Sequence, residues 1–210
     1  MSGCLLCHSN ATEQVLEDKS ILFLKCSQCG SIFKHPEAFP TPTEEKERYL
    51  LHENDINDPG YRAFVAPVVD RISSDRTPRH FGLDFGAGPG PVIAKLLSEK
   101  GFNIALYDPF FYPDPSVLNK MFDFIICCEV IEHFHDPFTE FQRLKNLLHP
   151  GGTLYGMTHL LPDLNHFKDW YYKDDPTHVI FYSKENLNWI KKNFGFKELE
   201  ISDRLIVMSL

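Results

Sequence analysis

From residue 80 onward the apolar residues fall into two alternating rhythms. The runs HFGLDF (80–85), FNIALYD (102–108), FDFIICC (122–128) and TLYGMT (153–158) are short and almost continuously apolar, as strands covered on both faces are. Between them, PVIAKLLSEK (91–100) and FTEFQRLKNLL (138–148) repeat their apolar residues at helical spacing. Pro91 suits a first helical turn, Gly101 a C-cap, Asp136-Pro137 a helix start and Pro150-Gly151-Gly152 a turn. Further on, Ser183 is placed to cap SKENLNWIKKNF, which ends at Gly195, and FKELEIS and LIVMSL flank the short turn Asp203-Arg204 as an antiparallel hairpin. Strands alternating with helices predict an α/β fold, a doubly wound and mostly parallel sheet with helices on both faces.

The first third of the chain reads differently. Residues 1–35 hold one short apolar strand, ILFLK (21–25), too little to fold by burial alone. HPEAFPTP (35–42) then brings three prolines in eight residues, which marks a boundary. Thr43 before EEKERYLL predicts a capped helix from about Glu44. Three parts follow: a small module (1–35), a linker with helices (36–79) and the main domain (80–210).

Composition narrows the class. With 43% hydrophobic residues in 210, one good core is affordable. A formal charge of −8 disfavours nucleic acid as a partner. No apolar run approaches the ~20 residues that cross a bilayer, and the opening MSGCLLCHSN does not resemble a secretion signal, so a cytoplasmic protein is expected. Of six cysteines, Cys127 and Cys128 are adjacent in an apolar run and read as buried strand residues. The others form Cys4-x2-Cys7 and Cys26-x2-Cys29, separated by 18 residues. That spacing predicts a four-thiolate structural Zn2+ site of zinc-ribbon type, whose metal supplies folding energy the segment lacks. A full set of protein ligands leaves such a site closed to substrate, and His8 is redundant to it.

The run LDFGAGPG sets Gly86, Gly88 and Gly90 between a strand and a helix, a loop that lets backbone pass close beneath a ligand. A dinucleotide loop would carry its third glycine at position 91, where this chain has Pro91; an NAD-dependent oxidoreductase is therefore the weaker alternative. Asp108, about 20 residues on at the end of the next strand, suits the hydroxyls of a ribose.

Taken together, LDFGAGPG (83–90), LYDP (106–109), FDFIICCEVIEHFHDP (122–137) and LHPGGTLYGMT (148–158) resemble the class I S-adenosylmethionine-dependent methyltransferases, in the branch with an E-V-x-E-H motif. The resemblance is strong over about 80 residues and extends over 44–202. It implies a Rossmann-like seven-stranded sheet with an antiparallel last strand. It assigns Asp84 and the backbone of Gly86, Ala87 and Gly88 to the methionine part of the cofactor, and Asp108 to the ribose with Tyr107 and Pro109 beside the adenosine. Cys128, Glu129 and Val130 would line the cofactor's other side, with His133 toward the substrate. Only about 13 residues after Pro109 lead to the fourth strand, shorter than in many relatives. Similar bacterial enzymes carry a stretch like RYLLHENDINDPGYRAF (48–64) over the pocket, which adds Tyr61 as a cofactor contact.

Because the sulfonium already activates the methyl group, in-line positioning and proton removal are the remaining tasks. His178 in DPTHVIFYS is the first candidate base, then His133, then Tyr172. The expected reaction is methyl transfer to a small-molecule acceptor. A zinc-bearing module that binds cofactor without turnover is the alternative outside enzymology.

Overall fold

The almost continuously apolar strand at Phe122–Cys128 serves two cores: Phe124 and Ile126 point to one face, and Ile125 and Cys127 to the other. That strand is β6 of ten. The computed structural model describes residues 2–51 and 55–210. In chain order they form β1 (Thr12–Asp18), β2 (Ile21–Cys26), β3 (Ile32–Lys34), α1 (Pro42–Leu50), α2 (Pro59–Asp75), β4 (Phe81–Phe85), α3 (Val92–Glu99) and β5 (Asn103–Tyr107). After β6 come α4 (Pro137–Leu147), β7 (Leu148–Met157), α5 (Leu164–Phe167), β8 (Ile180–Phe181), α6 (Lys184–Phe194), β9 (Glu198–Ser202) and β10 (Leu205–Ser209).

The main sheet runs β5-β4-β6-β7-β10-β9. Its first four strands are parallel, and β10 lies antiparallel between β7 and β9, so the C-terminal hairpin enters the sheet as expected. Helices α2 and α3 cover one face through Val65, Val68, Ile93 and Leu97, and α4 and α6 cover the other through Phe141, Leu144, Leu187 and Ile190. The described residues give this sheet six strands, not seven. Residues 109–121 are too few for a further strand with its own crossover, since each parallel connection takes a dozen or more residues. Instead the chain folds back, with Asp108 bridging to Tyr112 and a 3-10 turn at Pro115–Asn119. The capping threonine of α1 also differs from expectation. Thr41, not Thr43, caps it, because Thr41 and Glu44 form a reciprocal capping box around Pro42.

A second sheet, β1-β2-β3-β8, ties the N-terminal strands to the segment after His178, with β3 pairing β8 through Ile32↔Phe181 and Phe33↔Ile180. Cys4, Leu6, Cys26 and Phe33 belong to the same buried cluster as Leu83, Ile125 and Phe141 of the main domain.

Candidate active site

A cavity of about 980 Å³ opens where β4, β5 and β6 end. The glycine loop forms its floor. Gly86 (φ +79°) and Gly88 (φ +63°) sit in left-handed backbone, and a Cβ on Gly86 would lie 2.5 Å from Cγ2 of Val130. A side chain there is therefore excluded both by conformation and by space.

Asp84 and Asp108 end β4 and β5 nearly buried. Burial pushes the Asp84 carboxyl up to about 7, against a hydrogen bond from the Ala94 amide that lowers it and with the Asp108 charge adding to the rise. Asp108 accepts from the amides of Gly88 (2.9 Å), Phe110 (2.8 Å) and Phe111 (3.0 Å). Of the ~4 lone-pair positions on a carboxylate, these leave room for about one ribose hydroxyl rather than a diol. Asp114 caps the 3-10 turn through the Ser116 amide and lies exposed.

The end of β6 carries the acids. Glu129 has a left-handed backbone (φ +51°), and its amide donates to the Met157 carbonyl at 2.7 Å. Non-glycine residues hold this conformation only where their surroundings enforce it. Its Oε2 accepts from the Tyr172 hydroxyl at 3.1 Å, and Arg204 stands 3.9 Å from its Oε1. Glu132 is fully buried, its Oε1 takes a short hydrogen bond from the same Tyr172 hydroxyl, and among the described residues its Oε2 has no hydrogen-bond partner. Burial, reinforced by the Glu129 charge, raises the Glu132 carboxyl to about 8.

His178 and His133 stack edge to face at 4.8 Å between ring centres. Nδ1 of His178 faces the Tyr172 carbonyl at 2.7 Å, and Nδ1 of His133 faces the Thr177 carbonyl at 2.9 Å. Carbonyls only accept, so each Nδ1 carries a proton, and a neutral His178 keeps its lone pair on Nε2. Burial lowers the pKa of His178 to about 4 and keeps it neutral. Tyr172 is a poor proton acceptor. Burial and the two neighbouring carboxylates hold its hydroxyl protonated, and that proton is already donated.

The segment carrying His178 is anchored from three directions. Arg48 of α1 grips Asp175 through Nε (3.1 Å) and Nη2 (2.7 Å), the Thr177 hydroxyl donates to Asp175 at 2.7 Å, and the Val179 amide donates to the Glu132 carbonyl at 2.9 Å. Although burial works against it, these partners hold the Asp175 carboxyl well below the usual range. From β3, the Lys34 ammonium donates to the Asp175 carbonyl (2.5 Å) and the Lys34 amide to the Val179 carbonyl (2.8 Å).

Every residue predicted to touch cofactor or substrate lines this one cavity: Tyr61 from α2, Asp84 to Gly88, Tyr107 to Pro109, Cys128 to Val130, and His133, Tyr172 and His178. Arg48, Tyr49 and Phe64 also line it, from the stretch 48–64 expected over the pocket, of which 52–54 lie outside the described residues; sequence reasoning had singled out only Tyr61 there and missed Arg204 and buried Glu132 altogether. Glu132 had a visible signal as the second acid of the EVIEH string, whereas Arg48 and Arg204 look like ordinary surface charges. Away from the cavity, the sulfurs of Cys4, Cys7, Cys26 and Cys29 all lie within 4.8 Å of one another, with Cys4–Cys29 and Cys7–Cys26 both at 3.5 Å.

A family model described as a methyltransferase domain matches residues 60–201. The chain belongs to the methyltransferase family. The nicotinamide alternative falls with that assignment. A ubiquinone biosynthesis O-methyltransferase from Serratia proteamaculans is 30% identical over 77 residues, which cover 37% of this chain and 32% of that relative's length. A Burkholderia thailandensis 1,6-didemethyltoxoflavin N1-methyltransferase, solved with 1,6-didemethyltoxoflavin and S-adenosylhomocysteine bound, aligns with a TM-score of 0.56 at 16% identity, covering 94% of this chain and 97% of its own. An S-adenosylmethionine-dependent methyltransferase from Archaeoglobus fulgidus aligns with a TM-score of 0.56 at 17% identity, covering 77% and 99%. These structural likenesses establish a shared Rossmann-like fold.

Proposed function

We propose that this methyltransferase transfers the methyl group of S-adenosylmethionine to a nucleophile on a small molecule seated against His133 and His178. The observation that carries the reading is convergence. Five separated stretches of chain, each singled out for one part of the cofactor or acceptor, meet around a single cavity large enough for both.

When bound, the cofactor supplies a methyl group already activated by its sulfonium. Asp84 and the backbone of Gly86, Ala87 and Gly88 hold the methionine portion, Asp108 takes a ribose hydroxyl, and Tyr107, Pro109 and Cys128 to Val130 close around the rest. Tyr49, Tyr61 and Phe64 cover the cavity from α1 and α2 and exclude water from the displacement. The acceptor's nucleophilic group is activated at Nε2 of His178, the basic lone pair that a neutral, Nδ1-protonated ring presents.

The four cysteines hold a structural Zn2+. Tetrahedral bonds of ~2.3 Å place thiolates ~3.8 Å apart, close to the 3.5 Å seen for the two facing pairs. The Ser31 hydroxyl lies 3.2 Å and 3.1 Å from the sulfurs of Cys4 and Cys29, and the Gln28 amide donates to Cys26 at 3.4 Å, as outer partners of thiolate ligands do. Residues 1–35 form the zinc-ribbon-like module, 36–79 the linker and covering helices, and 80–210 the transferase domain. A cytoplasmic location, where thiols stay reduced and available to zinc, goes with this reading. Among the described residues no helix is long and apolar enough to cross a membrane.

Calorimetric titration with S-adenosylhomocysteine, with NAD as comparison and zinc measured on the same sample, tests the proposal. Saturable binding of the former alone is expected. A folded, zinc-loaded protein that binds neither would overturn it.

A further inference from the structure

We propose that Glu132, His133 and His178 hold a divalent first-row transition-metal ion in the cavity wall, with coordination positions left open for an oxygen atom of the acceptor. The ion site stands on its own geometry. Its use in catalysis rests on the methyl-transfer reading and replaces direct proton acceptance by His178: with its Nε2 lone pair on the ion, His178 holds the metal that activates the acceptor.

One carboxylate oxygen of Glu132 and one ring nitrogen from each histidine lie within 4.8 Å of one another. Bonds of ~2.1 Å to one ion set neighbouring ligands roughly 3 Å apart, so the three groups would draw in on binding. Both imidazoles donate Nδ1–H to backbone carbonyls, of Thr177 and Tyr172, which is how ligating histidines are fixed with Nε2 toward a metal.

Glu132 is 0% exposed and among the described residues its Oε2 has no hydrogen-bond partner, so a buried polar atom faces the two histidines unsatisfied. Its neighbour Glu129 competes for the same donor, because the Tyr172 hydroxyl has one proton and faces both acids. Arg204, at 3.9 Å, is paired with Glu129. A divalent ion bonded to Oε2 satisfies the orphaned oxygen and displaces the carboxyl proton to water, its own charge holding Glu132 ionised.

Two nitrogens and one carboxylate select manganese, iron, cobalt or zinc over magnesium and calcium, which take oxygen ligands. The site is also distinct from the cysteine cluster, whose four soft ligands close it. Three protein ligands leave open positions, and His133 and His178 line the cavity. An acceptor hydroxyl bonded there through oxygen loses its proton to water. The oxygen lone pair then forms the C–O bond to the methyl carbon while the C–S bond breaks and its electron pair stays on sulfur, and the metal's oxidation state does not change.

The test uses the full chain with its zinc content measured. Mn2+ alone is titrated and followed by the electron paramagnetic signal of the unbound ion, with water-proton relaxation recorded on the same samples. The expected result is one saturable Mn2+ per chain, with enhanced relaxation from water in the open positions. Glu132→Gln and, separately, His178→Asn should each weaken binding by at least ~10- to 100-fold, with zinc content and S-adenosylhomocysteine affinity kept. Absence of saturable Mn2+ binding by the wild type, or binding that neither substitution changes, overturns the site, and bound Mn2+ without relaxation enhancement overturns its open positions. Mn2+ binding in a protein that does not bind S-adenosylhomocysteine would instead overturn the methyl-transfer reading and leave the ion site standing.

Discussion

Replacing Lys34 with methionine keeps the aliphatic stem and removes a fully buried ammonium. Burial lowers the Lys34 pKa from 10.5 to about 8 even with Asp175 and Asp174 opposing the shift. A depression of that size is a penalty of about 3 kcal/mol on the charged form at neutral pH. Against this, Lys34→Met strips the donor from the Asp175 carbonyl, and a buried acceptor left unmatched costs about 1–3 kcal/mol. The two effects nearly cancel, so unfolding free energy at pH 7 should change by no more than about 2 kcal/mol in either direction. Local order should not be spared, because the lost bond anchors the turn that carries His178, and hydrogen exchange over residues 174–181 should rise. The pH dependence is diagnostic. The folded protein loses the Lys34 proton near pH 8, while the unfolded chain keeps it to about 10.5. The penalty is thus complete below about pH 8 and relieved as pH rises to 10.5, so wild-type stability gains about 3 kcal/mol relative to Lys34→Met across that window. Urea melts of both proteins at several pH values measure it. Parallel stability curves from pH 7 to 11 would show that the ammonium is not held at a cost, and the reasoning would fail.

Gly86→Ala forces a left-handed alanine, costing about 1–2 kcal/mol, and drives its Cβ against Val130; at least ~10-fold weaker S-adenosylhomocysteine binding is expected by calorimetry, and unchanged affinity would refute the role of the loop. The cofactor's ammonium favours ionised Asp84, whose pKa is raised to about 7, so affinity should fall by up to ~10-fold per pH unit below that value and stay flat in Asp84→Asn. Cys26→Ser should leave zinc below one ion per chain, and a loss of about 4 kcal/mol should lower Tm by ~8–16 °C; full zinc occupancy with an unchanged melt would contradict the four-thiolate site.

The parts of this molecule legible in sequence are those whose physics is local. Short, almost continuously apolar runs located β4 to β7, the glycine loop gave the floor of the cavity, and two cysteine pairs gave their cluster. What escaped depends on distance along the chain. Arg48 meets Asp175 across 127 positions, and nothing near either residue announces the pair. Ile180–Phe181 is too short to show a period, yet it completes a sheet. The α1 cap was misplaced by two residues because Thr41 and Thr43 both precede acids, and only the Thr41–Glu44 reach closes the box. The seventh strand was carried over by resemblance, although the short segment after Pro109 already argued against it.

The pairing of β3 with β8 also sets an order of assembly. During synthesis the cysteine-bearing strands emerge early, but the partner for Ile32 and Phe33 lies at Phe181 and Ile180, so β3 waits with an open edge until nearly the whole transferase domain has been made. Such edges recruit other chains, and contacts this distant in sequence form slowly. Shortened products ending before residue 180 should therefore be sticky even with their metal in place, and the alignment of His178 is among the last events of folding.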